Sequence, residues 1–479
     1  MSDSRSARVR ASLDHPIVDS DGHLLEFEPA LLDSLARVAG PELVKRYEQA
    51  AGDGLLQWGL GDRERRDRRS ARAPWWATPA QNTLDRATAL LPKLFVSRMQ
   101  ELGLDFSVLY PSTGLVLIGL PDDELRRASC RALNAYHAEL YREYAARVTP
   151  AAVIPMHTPE EALAELDFAV GEQGMKVVML AGVIRRPLAA AARIAPEAAQ
   201  LAFWIDTLGL DSEHDYDPVW RRCVELGVCP TFHSGSQGWG ARRSVTNFVY
   251  NHTGHFAAAG EATCKSLFLG GVTKRFPELR FAFLEGGVAW GCNLYADLLA
   301  HWQKRNRDAV QAYDPAKLDR DALVRLFREH ADPPLLARLD ALIDGAGIRG
   351  DRLDDPYPLD EFAACGIDSA EDLRERFVPS FYFGCEADDP LNALAFDTRI
   401  NPQGARLHAI FGSDIGHWDV ADASEVVEEA YESVERGNLS KQDFRAFVFE
   451  NPVRFWTALN PGFFDGTAIE SAARGLPRA

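Results

Sequence analysis

The sequence predicts an α/β chain folded as a (β/α)8 TIM barrel with helical insertions, and three observations carry that expectation. Eight short runs rich in β-branched and aromatic residues recur along the 479 residues. Each is near-continuously apolar, the pattern of parallel strands buried on both faces. Amphipathic helical segments separate the runs. An open doubly wound sheet would satisfy the same alternation, but no Gly-x-Gly-x-x-Gly follows the first run, and the barrel is preferred.

In chain order the runs are IVDSD (17–21), DFSVLY (105–110), AAVIPM (151–156), MKVVML (175–180), GVCPTFH (227–233), LRFAFLE (279–285), SFYFGC (380–385) and LHAIFGSD (407–414). After the second run, DDELRRASCRALNAYHAELYREYAARV (122–148) repeats its apolar residues at helical spacing,. The helix after the third, PEEALAELDFAVGEQG (159–174), opens with Thr158 as N-cap and Pro159 at its first position,. Two stretches exceed a minimal barrel. Residues 40–100 hold the charge run GDRERRDRRSAR and then APWWATPAQ; residues 300–375 are helical and charged, with loop signals at ADPP and DDPYP. Both are read as insertions within one barrel spanning 14–465, with 1–13 a flexible N-terminal tail and 466–479 a C-terminal tail. The first insertion leaves the catalytic end of the first strand. Trp75 and Trp76 therefore either pack it on the barrel or form part of a lid, and packing is preferred.

Acidic residues outnumber basic ones by 70 to 52, a net charge of −18. Such a surface repels phosphate backbones and anionic lipid, so neither nucleic acid nor membrane is an expected partner. No apolar run approaches the roughly 18 residues that span a bilayer. The polar start MSDSRSARVR lacks a secretory apolar core, which makes the cytoplasm the expected compartment,. Seven scattered cysteines without a C-x-x-C pair read as reduced thiols, with Cys385, next to Glu386, the one to watch,.

In a barrel the reacting groups stand at the C-terminal ends of strands. The first strand ends in Asp19, Asp21 and His23, the fifth in His233, the sixth in Glu285 and the eighth in Asp414, with His417 just beyond. Alternate strand residues point the same way, so Asp21 and His23 can face one point in the mouth. With His233 and Asp414 they make a candidate site for one divalent metal ion with room for a water. Alone, each has a plainer reading as a helix cap or a packed side chain; the joint placement favours the metal.

Four of these segments, DSDGH, TFHSG, FLEGG and FGSDIGH, resemble the amidohydrolase-related group of the amidohydrolase superfamily, the branch that includes aminocarboxymuconate-semialdehyde decarboxylase. The resemblance covers roughly 14–460, including the closing FENPVRFW. It implies a metal-dependent hydrolase working on a small, carboxylated or aromatic substrate through a metal-activated water. Non-oxidative decarboxylation is the second choice, hydration a third, and a catalytically silent metal-binding barrel the alternative from another class. Asp21, His23, His233 and Asp414 take the ligand positions, for zinc first, with manganese or iron also compatible. Asp414, Glu285 and His233 take the catalytic ones. Many relatives carry a histidine before Gly-Gly on the sixth strand, where this chain has Glu285. Glu285 is then an acid or base, an extra ligand, or a partner of Arg242 or Arg243. The loop after the fifth strand, HSGSQGWGARRSVTNFVYNHTGHF, offers Arg242, Arg243, Trp239 and His252 to a substrate, with His255 more a packing residue,. His417 is expected beside the substrate or orienting Asp414, with Asp419 in the same supporting role. A homodimer is possible by analogy with barrels of this group.

Overall fold

Eight parallel strands pair in the order expected of a barrel: β1 (Val18–Leu24), β2 (Phe106–Pro111), β3 (Val148–Ile154), β4 (Val177–Leu180), then β7 (Pro230–Phe232), β8 (Phe281–Phe283), β9 (Phe381–Cys385) and β10 (His408–Phe411). Between β4 and β7 a separate antiparallel hairpin forms from β5 (Ile184–Pro187) and β6 (Phe203–Asp206). The computed structural model describes residues 4–52, 60–72, 81–196, 201–236, 242–343, 360–417 and 419–477. Trp75, Trp76 and Trp239 lie outside them.

Each apolar run of the sequence overlaps one barrel strand, β1 running on to Leu24 and β3 starting early at Val148, and nearly every barrel-strand residue is buried. The first and last strands are joined at their C-terminal ends. The Asp414 N–H donates to Asp21 O at 2.9 Å and the His23 N–H to Ile415 O at 2.8 Å. Gly412 is required there, because a Cβ would stand 2.8 Å from the Asp21 Cβ,.

Asp19 fixes this seam. Its carboxylate accepts from Ser107 Oγ at 2.5 Å, Ser413 Oγ at 2.8 Å, the Ser413 N–H at 2.9 Å and the Asp21 N–H at 3.2 Å. Three strand ends are thereby tied to one buried anion, which the sequence had offered as a candidate polar residue of the mouth. The register between β1 and β2 shifts between Asp19 and Gly22, and a Cβ on Gly22 would meet Asp19 Oδ2 at 2.6 Å. That irregularity sets the spacing of Asp21 and His23.

The Thr158 start is a full capping box with Glu161, as its sequence signals,. The helix after β2 corrects the sequence reading. It runs Asp123–Tyr141 from the N-cap Asp122, and the chain then turns to enter β3 at Val148, where pairing with β2 outweighs helical propensity,. The N-terminal tail expected over 1–13 is instead a helix, Arg5–Ser12, capped by Ser4, with Ser6 and Val9 buried. It is pinned by Arg5 to Glu428 and Glu435 and by Arg10 to Asp105. The segment after 465 also packs: Ile469 is buried and the Ala468 N–H donates to Ala146 O at 2.9 Å. Single apolar residues in short polar segments give too weak a periodicity to be read in advance.

Both insertions are helical where described. Between β1 and β2 lie helices Pro41–Gly52, Asp62–Arg68, Thr83–Leu90 and Pro92–Leu102; between β8 and β9, Ala289–Arg305 precedes Arg320–His330 and shorter turns. Among the described residues no helix is long and apolar enough to cross a membrane. All seven cysteines are buried free thiols, and burial pushes the Cys385 thiol far above its ordinary range, which removes it as a nucleophile,.

Candidate functional site

At the C-terminal mouth the chain leaves β8 and β10 through two strained residues. Glu285 has φ 54° and Asp414 φ 49°, left-handed values that non-glycine residues rarely adopt,. Such strain persists where the surroundings impose it, and here it turns two carboxylates into one space. Gly286 and Gly287 after Glu285 allow the following backbone to pass close: Cβ atoms would stand 2.9 Å from Trp290 Nε1 and 2.8 Å from Asp389 Oδ2.

Around that space the Nε2 atoms of His23 and His233 face each other at 3.1 Å. Asp21 Oδ1 lies 3.6 Å from both. Asp414 Oδ1 is 3.1 Å from His23 Nε2, and Glu285 Oε2 is 3.1 Å from His233 Nε2. His417 adds Nδ1 at 2.7 Å from Asp414 Oδ1 and 3.8 Å from Glu285 Oε2, its ring stacked on His23 with centroids 3.4 Å apart. Phe256 closes one side, edge-on to His233 at 4.9 Å. The four residues proposed from sequence as ligands thus stand in two groups that share His23: Asp21 and His233 in one, and Asp414 with Glu285 and His417 in the other.

Burial and like charge govern the electrostatics. Desolvation first, then the Asp414, Asp19 and Glu386 carboxylates, hold Asp21 well above the ordinary carboxyl range. Glu285 is pushed the same way by burial and by Asp414, Asp419, Glu386 and Asp21. Burial also raises Asp414 well above its ordinary value. The imidazoles move oppositely: burial takes His233 down to about 3 and His417 to about 4, and keeps His23 neutral,.

A divalent cation fits this donor set. Asp21 Oδ1 and Glu285 Oε2 are buried and lack a hydrogen-bond donor among the described residues. Facing imidazole nitrogens can share at most one proton, and burying several carboxylates together costs heavily unless a cation offsets them. Ligand atoms of Asp21, His23 and His233 lie within 4.8 Å of one another, as do those of His23, Glu285, Asp414 and His417. Mixed nitrogen and oxygen donors without thiolate suit several first-row ions.

The expected substrate contacts fare differently. Glu285 meets His233 and His417, so the pairing with Arg242 or Arg243 considered from sequence is not formed. Arg242 is exposed, while Arg243 stands over the Phe203 ring at 5.9 Å with Arg185 on the same ring at 5.1 Å. Sequence did not show Arg185 as a neighbour of Arg243, because Arg185 stands on the unanticipated hairpin. His255 is buried against Phe256 with ring centroids 3.9 Å apart, a packing role as expected. His252 ends the helix Phe248–His252 and lies near Glu285 and Asp419. Glu386, half-buried after β9, is a further acidic group of the mouth.

A parallel barrel with imidazoles and carboxylates gathered at the C-terminal strand ends belongs to the class of metal-assisted TIM-barrel enzymes. The sequence profile of the family described as Amidohydrolase matches residues 117–336. The matched stretch is a little under half of the chain and likens it to that family. No curated protein matches it in sequence. Among solved structures, it is similar to the amidohydrolase map2389c from Mycobacterium avium subsp. paratuberculosis K-10, with 17% identity, TM-score 0.53, and 93% of this chain and 98% of that one covered. It is similar also to 2,6-dihydroxybenzoate decarboxylase from Rhizobium, with 13% identity, TM-score 0.50, and coverage of 92% and 99%. At these identities the likeness establishes the shared barrel.

Proposed function

We propose that this chain is an enzyme of the amidohydrolase superfamily, a metal-dependent hydrolase of a small molecule, with water attacking a polarised carbonyl or related carbon. The observation that best supports this reading is the packing of His233, Asp21 and Asp414 around the His23 Nε2 atom in the buried mouth. A divalent ion held by these four, zinc first with manganese or iron as alternatives, supplies Lewis acidity toward a substrate oxygen and lowers the pKa of water. Asp414 is placed to accept a proton from the attacking water, and His417 Nδ1, 2.7 Å away, orients it,. Glu285, whose carboxyl is shifted toward its neutral form by burial and by the neighbouring carboxylates, is placed to deliver a proton to the leaving group,. Arg185 and Arg243 on the Phe203 ring offer cations to the carboxylate of an acidic or aromatic substrate,.

Decarboxylation is the second reading. It is favoured by the same protonated Glu285, because replacing carbon dioxide on carbon needs a proton donor at that carbon, and the Rhizobium neighbour is a decarboxylase on the same fold. Turnover in heavy-oxygen water separates the two. Hydrolysis places solvent oxygen in a product; carbon dioxide release with no label at a non-exchanging position rejects the hydrolase.

Acidic crowding also predicts a pH dependence of stability. Glu386 is pushed from 4.5 up to about 8, by burial first and then by Asp419, Asp388 and Asp389. Between those values the folded protein binds a proton that the unfolded chain has released, so stability falls as pH rises. Below about pH 6.5 the buried imidazoles of His233 and His417, neutral in the fold and protonated in the unfolded chain, oppose this trend,. In chelator-treated protein the Tm should therefore decline from about pH 6.5 to about pH 8. A divalent cation added at pH 8 should restore it by favouring the carboxylates. A flat Tm profile in the chelated protein contradicts this account of the mouth.

A further inference from the structure

We propose that Asn251 is a positioning residue that latches the first insertion onto the loop after β7 and so controls access to the barrel mouth. Asn251 is 2% exposed, and both ends of its amide are engaged. Its Nδ2 donates to Arg72 O at 3.1 Å and to Ser244 O at 2.8 Å, and its Oδ1 accepts from the Ser244 N–H at 2.8 Å. The Arg72 N–H donates to Ser244 O at 2.9 Å across the same junction.

Topology places this junction over the mouth. The insertion leaves β1 and returns to β2, whereas the loop carrying Ser244 and Asn251 follows β7. In the order of eight strands β1 and β7 stand four places apart, on opposite sides of the barrel. Both segments start from C-terminal strand ends, so they meet on the mouth face. His252, next in sequence to Asn251, brings a ring nitrogen within 4.8 Å of carboxylate oxygens of Glu285 and Asp419, which follow β8 and β10. The insertion is also held on the near side. The Leu25 N–H donates to Ala89 O at 2.9 Å, Asn82 Nδ2 donates to Ala421 O at 3.2 Å, and Asp85 Oδ2 accepts from the Ala423 N–H at 2.7 Å. It is thus anchored beside β1 and β10 at one end and on the β7 loop at the other. Buried Arg65 donates to Leu60 O at 3.0 Å and to Ala71 O at 3.2 Å, which ties 60–72 into one piece behind the latch.

A junction of a few hydrogen bonds opens locally, without unfolding the barrel. Opening that precedes both entry and exit scales the two rates together and leaves affinity unchanged, which sets a gate apart from a group that supports the site itself.

The test compares full-length wild type with Asn251→Asp and Arg72→Pro. The first keeps the bond from the Ser244 N–H but turns a buried acceptor toward Arg72 O and Ser244 O; the second removes the Arg72 N–H and leaves the loop's own bonds intact. Limited trypsin digestion reads docking, because the helix Asp62–Arg68 must come free before Arg63, Arg66 or Arg68 fits a protease cleft. Cleavage there should quicken on the order of tenfold in both variants. Mn²⁺ uptake, and its release into excess chelator, should quicken together at unchanged affinity. Unchanged cleavage in both variants overturns the latch, and cuts spread through the barrel make Asn251 a general structural group instead. Faster cleavage with unchanged Mn²⁺ exchange, or faster release alone, overturns the control of access. The Mn²⁺ probe rests on the proposed function: if wild type takes up none, that reading falls, and the trypsin comparison alone decides the latch.

Discussion

His233→Ala should empty the metal site and abolish turnover. His233 presents Nε2 to His23, Asp21 and Glu285 at once, at 3.1, 3.6 and 3.1 Å. Removing a ligand from a set of four leaves carboxylates that neither water nor another donor replaces at that depth. Divalent metal measured on the purified variant should drop from about one tightly bound ion per chain to a small fraction of that. His330→Ala is the control, because His330 is 66% exposed and far from the mouth in sequence and contacts. Full occupancy in His233→Ala would rule out the ligand set.

The second large effect is expected at Glu285. Glu285→Gln keeps the volume and a hydrogen-bonding head but cannot transfer a proton. General acid–base groups typically contribute 10²–10⁴-fold, so kcat should fall on the order of that range. The tightly held ion should remain, since His23, His233, Asp21 and Asp414 are untouched. Rate and metal content measured together are decisive. Loss of the tight ion with activity would make Glu285 a metal ligand. Near-normal turnover would make it a structural group only.

The barrel was legible from sequence because strands buried on both faces must be apolar, and the first, fifth, sixth and eighth runs end on residues of the mouth. The site was legible for the same reason: His233 and Glu285 are the first polar residues after β7 and β8, and Asp414 stands just past β10. What stayed hidden depends on tertiary geometry. Asp19 looked like Asp21 in sequence, yet two serines and two backbone N–H groups make it the clamp of the barrel seam. The Asp414-x-x-His417 spacing was the available signal for His417, but its stacking on His23 follows from the turn that closes the barrel. Arg185 lies on a hairpin whose IRRP and FWID segments are too short and too charged to read as strands. The left-handed backbone at Glu285 and Asp414 leaves no mark in residue type, since neither is glycine.

The central claim is that Asp21, His23, His233 and Asp414 hold one cation at the barrel mouth. Anomalous diffraction from crystals of the native protein, collected on both sides of the zinc and manganese absorption edges, tests it most directly. The account predicts a strong peak within coordination distance, roughly 2.0–2.2 Å, of the His23 and His233 Nε2 atoms and the Asp21 and Asp414 carboxylates. A mouth without anomalous density in protein that analyses as metal-loaded, or a peak coordinated by other residues, would contradict it.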